Sequence, residues 1–355
     1  MNTLTLLVKP AAGLCNMNCR YCFYKAASRT RENRIMTGET ADVLIQKIRE
    51  YRPSALCVMF QGGEPLLAGL EFYKSFAAKI KGNIKAPVSF SLQTNGLLID
   101  DGFAKFFKEN GFLVGVSLDG GRRTNDRYRL DANGGSVFEQ VLRSISILRK
   151  HDVDFNILSV VDGENAGDIE STYTFFKEQG FGFLQFIPCI DENSGVSLTP
   201  EKHATFLKKS FDLWYEDFIN GRYISMRHID NYINILMGNP PENCAMCGVC
   251  GNYFVVEANG DIYPCDFYCR DEYKIGSVFG ERPFEQNEKQ KRFIEQSLLI
   301  HEKCRECRYY RLCRGGCRRD RDESLTSNVY CKAYKDFFDY SCDRMNKIAE
   351  LLEGG

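Results

Sequence analysis

Sixteen cysteines in 355 residues constrain this chain more than any other feature, because most of them stand in close-spaced groups. In a short secreted chain they would suggest a disulfide framework, but this chain is long, and its opening MNTLTLLVKPAAG has no basic leader ahead of the apolar run. A cytoplasmic location is therefore expected, where thiols stay reduced and close-spaced cysteines are better read as metal ligands. The charge balance, 46 Lys+Arg against 47 Asp+Glu, argues against a coat for nucleic acid or for an anionic membrane. No stretch approaches the length of uninterrupted apolar sequence that a membrane span requires. Hydrophobic residues at 44% and charged residues at 26% exclude wholesale disorder.

Periodicity gives the class. Short β-prone runs near 4–8, 56–60, 88–92, 113–118, 154–161 and 183–188 alternate with helical patterns near 39–49, 70–81, 101–110, 136–150 and 169–179. Thr37 is placed to cap the first helix, with Glu39 in its first turn. Strands joined by crossovers of this length form parallel neighbours, so an α/β sheet or partial barrel is predicted. Beyond Pro188 the rhythm stops. Thr199-Pro200 starts a helix running to about residue 220, and a second follows near 229–237. Asn239-Pro240-Pro241 then opens the Cys-rich region. Within it, Ala258-Asn259-Gly260 predicts a hairpin turn between 253–257 and 261–263, and a last helix covers about 332–352. The expected division is 1–230 for the α/β part and 231–355 for the Cys-rich part.

Cys15, Cys19 and Cys22 form C-x3-C-x2-C just after the first strand. Three thiolates on one loop can hold three irons of a [4Fe–4S] cubane and leave the fourth open to substrate. A zinc knuckle short of one ligand, or unrelated thiols, are the alternatives; no nearby His completes a zinc set. The segment CNMNCRYCFY resembles the signature of the radical S-adenosylmethionine (SAM) superfamily. That resemblance implies that the open iron chelates SAM and that an electron from the cluster releases a 5′-deoxyadenosyl radical. Gln61-Gly62-Gly63-Glu64-Pro65 is similar to the superfamily motif that contacts the SAM amino group. Gln93-Thr94-Asn95-Gly96 and Ser117-Leu118-Asp119-Gly120 stand likewise at the ends of predicted strands. In a parallel barrel those ends share one mouth. The implied fold is α/β, a partial (β/α)6 TIM-like barrel.

From spacing alone, two zinc ribbons or two Fe–S clusters would explain the later cysteines comparably well. The region resembles a SPASM domain, which carries two auxiliary [4Fe–4S] clusters, so three clusters are implied in all. By that resemblance Cys244, Cys250, Cys265 and Cys317 hold the first auxiliary cluster, and Cys304, Cys307, Cys313 and Cys331 the second. Cys247 could replace a ligand of the first. Cys57, Cys189, Cys269 and Cys342 are left over, Cys57 on an apolar strand and read as core. Arg305, Arg308, Arg311, Arg314, Arg318, Arg319 and Arg321 are read as support for anionic clusters or as a solvated face rather than as a nucleic-acid patch.

A closer resemblance runs from Leu6 to the terminal helix. LVKPAAGLCNMNCRYCFY, FQGGEPLLAGLEFY, SLQTNG, FLVGVSLDG, FNILSVV, FLQFIPC, FDLWYEDF and YPCDFY are similar, in order and spacing, to the anaerobic sulfatase-maturating enzymes. This implies oxidation of a Cys or Ser in a sulfatase C/S-x-P-x-R motif to Cα-formylglycine, with a flavodoxin- or ferredoxin-type reductant. Asp266 matches the family's catalytic Asp, although an Asp there could equally cap a turn. Tyr24 matches an active-site Tyr, or is packing over the cluster. Gln61, Gly62, Gly63, Glu64, Ser117 and Arg129 are the candidate SAM and substrate contacts, with the poorest local match at Arg129. The alternatives are a SPASM enzyme that modifies a ribosomally made peptide, which a leader-binding domain ahead of Cys15 would favour, and a non-catalytic Fe–S electron carrier or zinc scaffold, which would leave SAM uncleaved.

Overall fold

The computed structural model describes residues 2–24, 34–189 and 195–353. In chain order its main elements begin with β1 (Thr3–Val8), α1 (Gly38–Tyr51), β2 (Ala55–Phe60), α2 (Leu70–Asn83), β3 (Val88–Thr94), α3 (Asp101–Asn110) and β4 (Phe112–Ser117). There follow α4 (Phe138–Lys150), β5 (Phe155–Val161), α5 (Ile169–Glu178), β6 (Phe183–Pro188), α6 (Pro200–Ile219), β7 (Ser225–Met226) and α7 (Arg227–Leu236). The chain closes with β8 (Phe254–Val256), β9 (Asp261–Tyr263), β10 (Gly276–Ser277), α8 (Glu288–Ser297) and α9 (Cys331–Glu353). All six predicted strands and five predicted helices of the first half form within a few residues of where periodicity put them. So do the hairpin and the last helix.

The chain divides into two compact units. The first comprises 1–118, 126–156 and 251–293, and its strands run in the order β10-β9-β8-β1-β2-β3-β4. β1 through β4 pair in parallel. On the other side of β1, β8 also pairs in parallel, Leu6 opposite Phe254 and Val8 opposite Val256. β9 turns back antiparallel to β8. Leu56, Val58 and Phe60 alternate inward on β2, and Leu44, Ile45 and Ile48 form the buried stripe of α1. The core beneath them is aromatic: Phe90 stacks on Phe112 at 5.0 Å between ring centres, and Phe60 meets Tyr73 edge-on at 5.1 Å. Thr37 caps α1 as predicted, its hydroxyl accepting the Thr40 amide at 3.1 Å.

The second unit comprises 119–125, 157–250 and 294–355. β5, β6 and β7 are parallel there. α6, started by the Thr199 cap and Pro200, packs against α9 through Phe211 on Phe337, which also meets Tyr232 of α7, and Arg344 binds Asp212 at 2.8 Å. The units do not follow chain order, because β8 and β9 belong with β1. A division at residue 230 remains a proposal about domains along the sequence. Among the described residues no helix is long and apolar enough to cross a membrane. α8 was not expected, since Phe293 and Ile294 are its only apolar side chains.

Candidate active site

Two glycines build the loop after β1 into a site. The Gly63 amide donates to the Ala12 carbonyl at 2.9 Å and the Glu64 amide to that of Leu14 at 2.7 Å. A Cβ on Gly63 would stand 2.1 Å from the Leu14 oxygen, and one on Gly62, at φ +133°, 2.8 Å from the Ala12 oxygen. Only glycine lets the loop after β2 lie against the residues leading into Cys15. The Glu64 carboxylate, fully buried, accepts from the Thr94 hydroxyl at 2.8 Å and from the Asn95 and Leu66 amides at 2.8 and 3.0 Å. Burial pushes that carboxyl up to about 7 against the pull of its donors. The motifs after β2 and β3 are thus one hydrogen-bonded structure.

Asn95 extends it to the Cys loop. Its amide nitrogen donates to Asn16 Oδ1 at 2.7 Å and lies 3.8 Å from Cys15 Sγ, which also receives the Met17 amide at 3.4 Å. Burial pushes the Cys15 thiol up to about 11, so a thiolate there depends on the positive charge of a metal. Cys15 as a residue is exposed, and a sulfur with two N–H donors turned toward it fits an iron–sulfur ligand. Among the described residues no three His, Cys, Asp or Glu side chains converge on a single metal ion; a cubane, whose thiolates bind different irons, does not need that arrangement. The Asn18 and Arg20 amides bond the Leu130 and Tyr128 carbonyls at 2.9 and 3.0 Å, which brings Arg129 to the same loop. Arg129 is buried, donates to the Tyr21 hydroxyl at 2.8 Å, and its charge acts on Glu64. The Ser117 hydroxyl accepts from Gln93 at 3.0 Å.

Asp266 follows β9 and opens a short 3-10 turn, but its side chain caps nothing. Both carboxylate oxygens instead accept the Tyr24 hydroxyl at 2.5 Å, Oδ2 accepts from Gln61 at 3.2 Å, and Oδ1 meets Lys9 Nζ at 2.8 Å. Burial first, and then the Asp266 charge, holds the Tyr24 phenol far above its usual range, so it is a permanent donor. Tyr24 also packs on Phe23 at 4.2 Å between ring centres. Sequence reasoning gave no site role to Lys9, Glu257 or Cys269, while Asn95 stood in the Gln93–Gly96 motif without a named contact. The one available signal was a lysine at the end of the apolar run Leu6–Val8.

In the second unit, Cys304, Cys307, Cys313 and Cys331 line one cavity of about 180 Å³ with Tyr309, Tyr310, Tyr334 and Phe338. Four thiols and an aromatic wall fit the proposed second auxiliary cluster. Of the first auxiliary set, Cys244, Cys250 and Cys317 belong to the second unit and Cys265 to the first. Arg318 and Arg321 draw the Cys250 thiol down against the larger upward push of burial. Arg321 is buried and donates to the carbonyls of Ser297, Leu299 and Leu325 at 2.8, 2.6 and 3.2 Å, while Arg311 binds the Ile235 carbonyl at the end of α7 at 2.8 Å. Arg311 and Arg321 therefore fix backbone, while Arg318 donates to the Gln296 side chain at 2.6 Å.

Residues 11–176 match the Radical SAM superfamily model. The cysteine-type anaerobic sulfatase-maturating enzyme of Clostridium novyi is 41% identical over 99% of both chains. The chain belongs to the anaerobic sulfatase-maturating enzymes. The serine-type enzyme of Bacteroides thetaiotaomicron is 30% identical over 98% of this chain and 92% of its own. Native anSMEcpe, solved with bound AdoMet and the Cp18Cys peptide, superposes with a TM-score of 0.93 at 39% identity, over 98% of this chain and 99% of that one. The radical SAM α/β fold and a Cys-rich C-terminal region of SPASM type follow from that membership.

Proposed function

We propose that the chain oxidises a cysteine in a sulfatase C-x-P-x-R segment to Cα-formylglycine. The observation that carries this reading is the full-length likeness to cysteine-type enzymes at 41%, against 30% for a serine-type enzyme. The reading assigns Cys15, Cys19 and Cys22 to the SAM-binding [4Fe–4S] cluster. Cys244, Cys250, Cys265 and Cys317 would hold one auxiliary [4Fe–4S] cluster, and Cys304, Cys307, Cys313 and Cys331 another. When bound, SAM and the clusters supply a hydrogen-abstracting radical and an acceptor for the second electron.

The remaining work belongs to side chains. Gln61, Gly62, Gly63, Glu64, Ser117 and Arg129 hold SAM, with Gln61 also reaching the base. Asp266 accepts the substrate thiol proton. Tyr24 donates to both of its oxygens and so keeps the carboxylate from turning away. Burial keeps bulk water away from the base. A flavodoxin- or ferredoxin-type donor in the cytoplasm completes the reading.

The test is mass spectrometry of a C-x-P-x-R peptide incubated anaerobically with reconstituted protein, SAM and reductant, beside its Ser counterpart. Conversion of the Cys peptide to an aldehyde, lost in Asp266→Asn with SAM cleavage retained, is expected. SAM cleavage with both peptides unchanged would move the assignment to another peptide substrate.

A further inference from the structure

Lys9 stands in the segment LVKPAAG ahead of the Cys loop and has no part in the proposed function, and yet its side chain meets that of Asp266. The parallel pairing of β1 with β8 continues one residue past the strand, where the Lys9 amide donates to the Val256 carbonyl at 2.9 Å. That register brings together Lys9 and Glu257, 248 residues apart in the chain. Lys9 Nζ stands 2.8 Å from Asp266 Oδ1, 3.1 Å from Glu257 Oε1 and 3.2 Å from Cys269 Sγ, and 4.5 Å from the centre of the Tyr24 ring. The lysine side chain is 1% exposed. Its stem is held as well, since a Cβ on Gly62 would come within 3.4 Å of Lys9 Cβ.

An ammonium has three hydrogens, and three acceptors surround this one. It has none left for a substrate, and with two carboxylates and a thiol about it the proton stays on nitrogen. Lys9 is therefore neither a base nor a nucleophile. Its effect falls on Asp266. An ionised carboxylate offers about four lone-pair directions. Lys9 meets Oδ1, Gln61 meets Oδ2 and Tyr24 bridges the two, so a substrate proton enters by displacing or sharing one of these donors, with Lys9 holding the carboxylate in place. Glu257 in turn anchors Lys9, and Cys269 takes the remaining N–H.

We propose that Lys9 is a positioning residue for the base: together with Glu257 and Cys269 it fixes the orientation of the Asp266 carboxylate. This rests on Asp266 being the base. Without Lys9 the carboxylate is free to turn. Hydrogen abstraction then proceeds and the thiol keeps its proton; the substrate radical, instead of giving up its electron, takes one from the external reductant and a proton from solvent, which returns the peptide unchanged and leaves 5′-deoxyadenosine behind.

The readout is the ratio of 5′-deoxyadenosine to aldehyde, measured anaerobically on the full chain with the C-x-P-x-R peptide. Lys9→Met is expected to raise that ratio about tenfold, the scale of one hydrogen bond to a charged group, with little change in peptide KM. Removing one partner of a buried ion pair can unfold a protein, so Lys9→Met/Glu257→Gln, which leaves no stranded carboxylate at residue 257, is measured beside it and decides if the single variant does not fold. Parallel loss of both products in the folded variants, at an unchanged ratio, overturns the proposal and makes Lys9 a structural support. Asp266→Asn separates the two readings. If it raises the ratio and the lysine variants do not, Lys9 has no positioning role; if it leaves the ratio unchanged, the base assignment itself falls.

Discussion

At the residue scale, the site depends on a few atoms that tolerate no replacement. Tyr24→Phe removes the hydroxyl that both Asp266 oxygens accept. A hydrogen bond to a charged group contributes about 1.5–3 kcal/mol, so aldehyde formation should fall roughly ten- to hundredfold, while SAM binding, followed by equilibrium dialysis, stays near its original level. Gly63→Ala acts differently. Its methyl would overlap the Leu14 carbonyl, so the reconstituted protein should lose SAM binding and not merely slow down. The sequence makes the Cys loop, the Gly62-Gly63-Glu64 turn and Asp266 legible because each sits in a short motif with its own spacing. Lys9, Glu257 and Cys269 have no local signature. A lysine ending an apolar strand, a glutamate beside a hairpin turn and a leftover cysteine are each ordinary, and only strand register over some 250 residues makes them one cluster.

Elements were the most readable level, since burial on one face imposes a period on the sequence. α3 shows why its limits were legible: Asp100 accepts the Phe103 amide at 2.8 Å at one end, and Gly111, at φ +64°, closes the other. Asp100→Ala should cost about 1 kcal/mol of stability, visible as a lower denaturant midpoint at unchanged slope. α8 was hidden by the same logic, because a helix with two apolar residues leaves no stripe to read. The hairpin of β8 and β9 was found by its Asn-Gly turn. Its partner was not, because nothing in three-residue strands says which edge they will join.

At the scale of the whole molecule, metal content and acid sensitivity are the informative measurements. With three clusters, Cys304→Ala should lose about four of twelve irons, and aerobic isolation should lose iron and turnover together, both followed by iron assay. Two histidines of the second unit, His203 buried and His228 with both ring nitrogens shielded, set an acid limit. Burial, with His228 acting on it as well, pushes His203 down to about 3, and burial pushes His228 down to about 4. The His203 Nδ1 and both His228 ring nitrogens have no hydrogen-bond partner among the described residues. The unfolded chain takes up protons on both near pH 6.5, where the folded one does not, so stability rises with pH through this window and is lost on acidification. The thermal midpoint should fall between pH 7 and 5, and His228→Phe should flatten that slope. The pairing of β1 with β8 has one more consequence, for synthesis. Until the ribosome has delivered residues 254–256, β1 has one flank unpaired, and a half-made chain offers that edge to any other strand. Aspartate 266 emerges later still. A polypeptide stopped short of the hairpin would carry the first Cys loop and the Gly62-Gly63-Glu64 turn, but not Asp266, the proposed base.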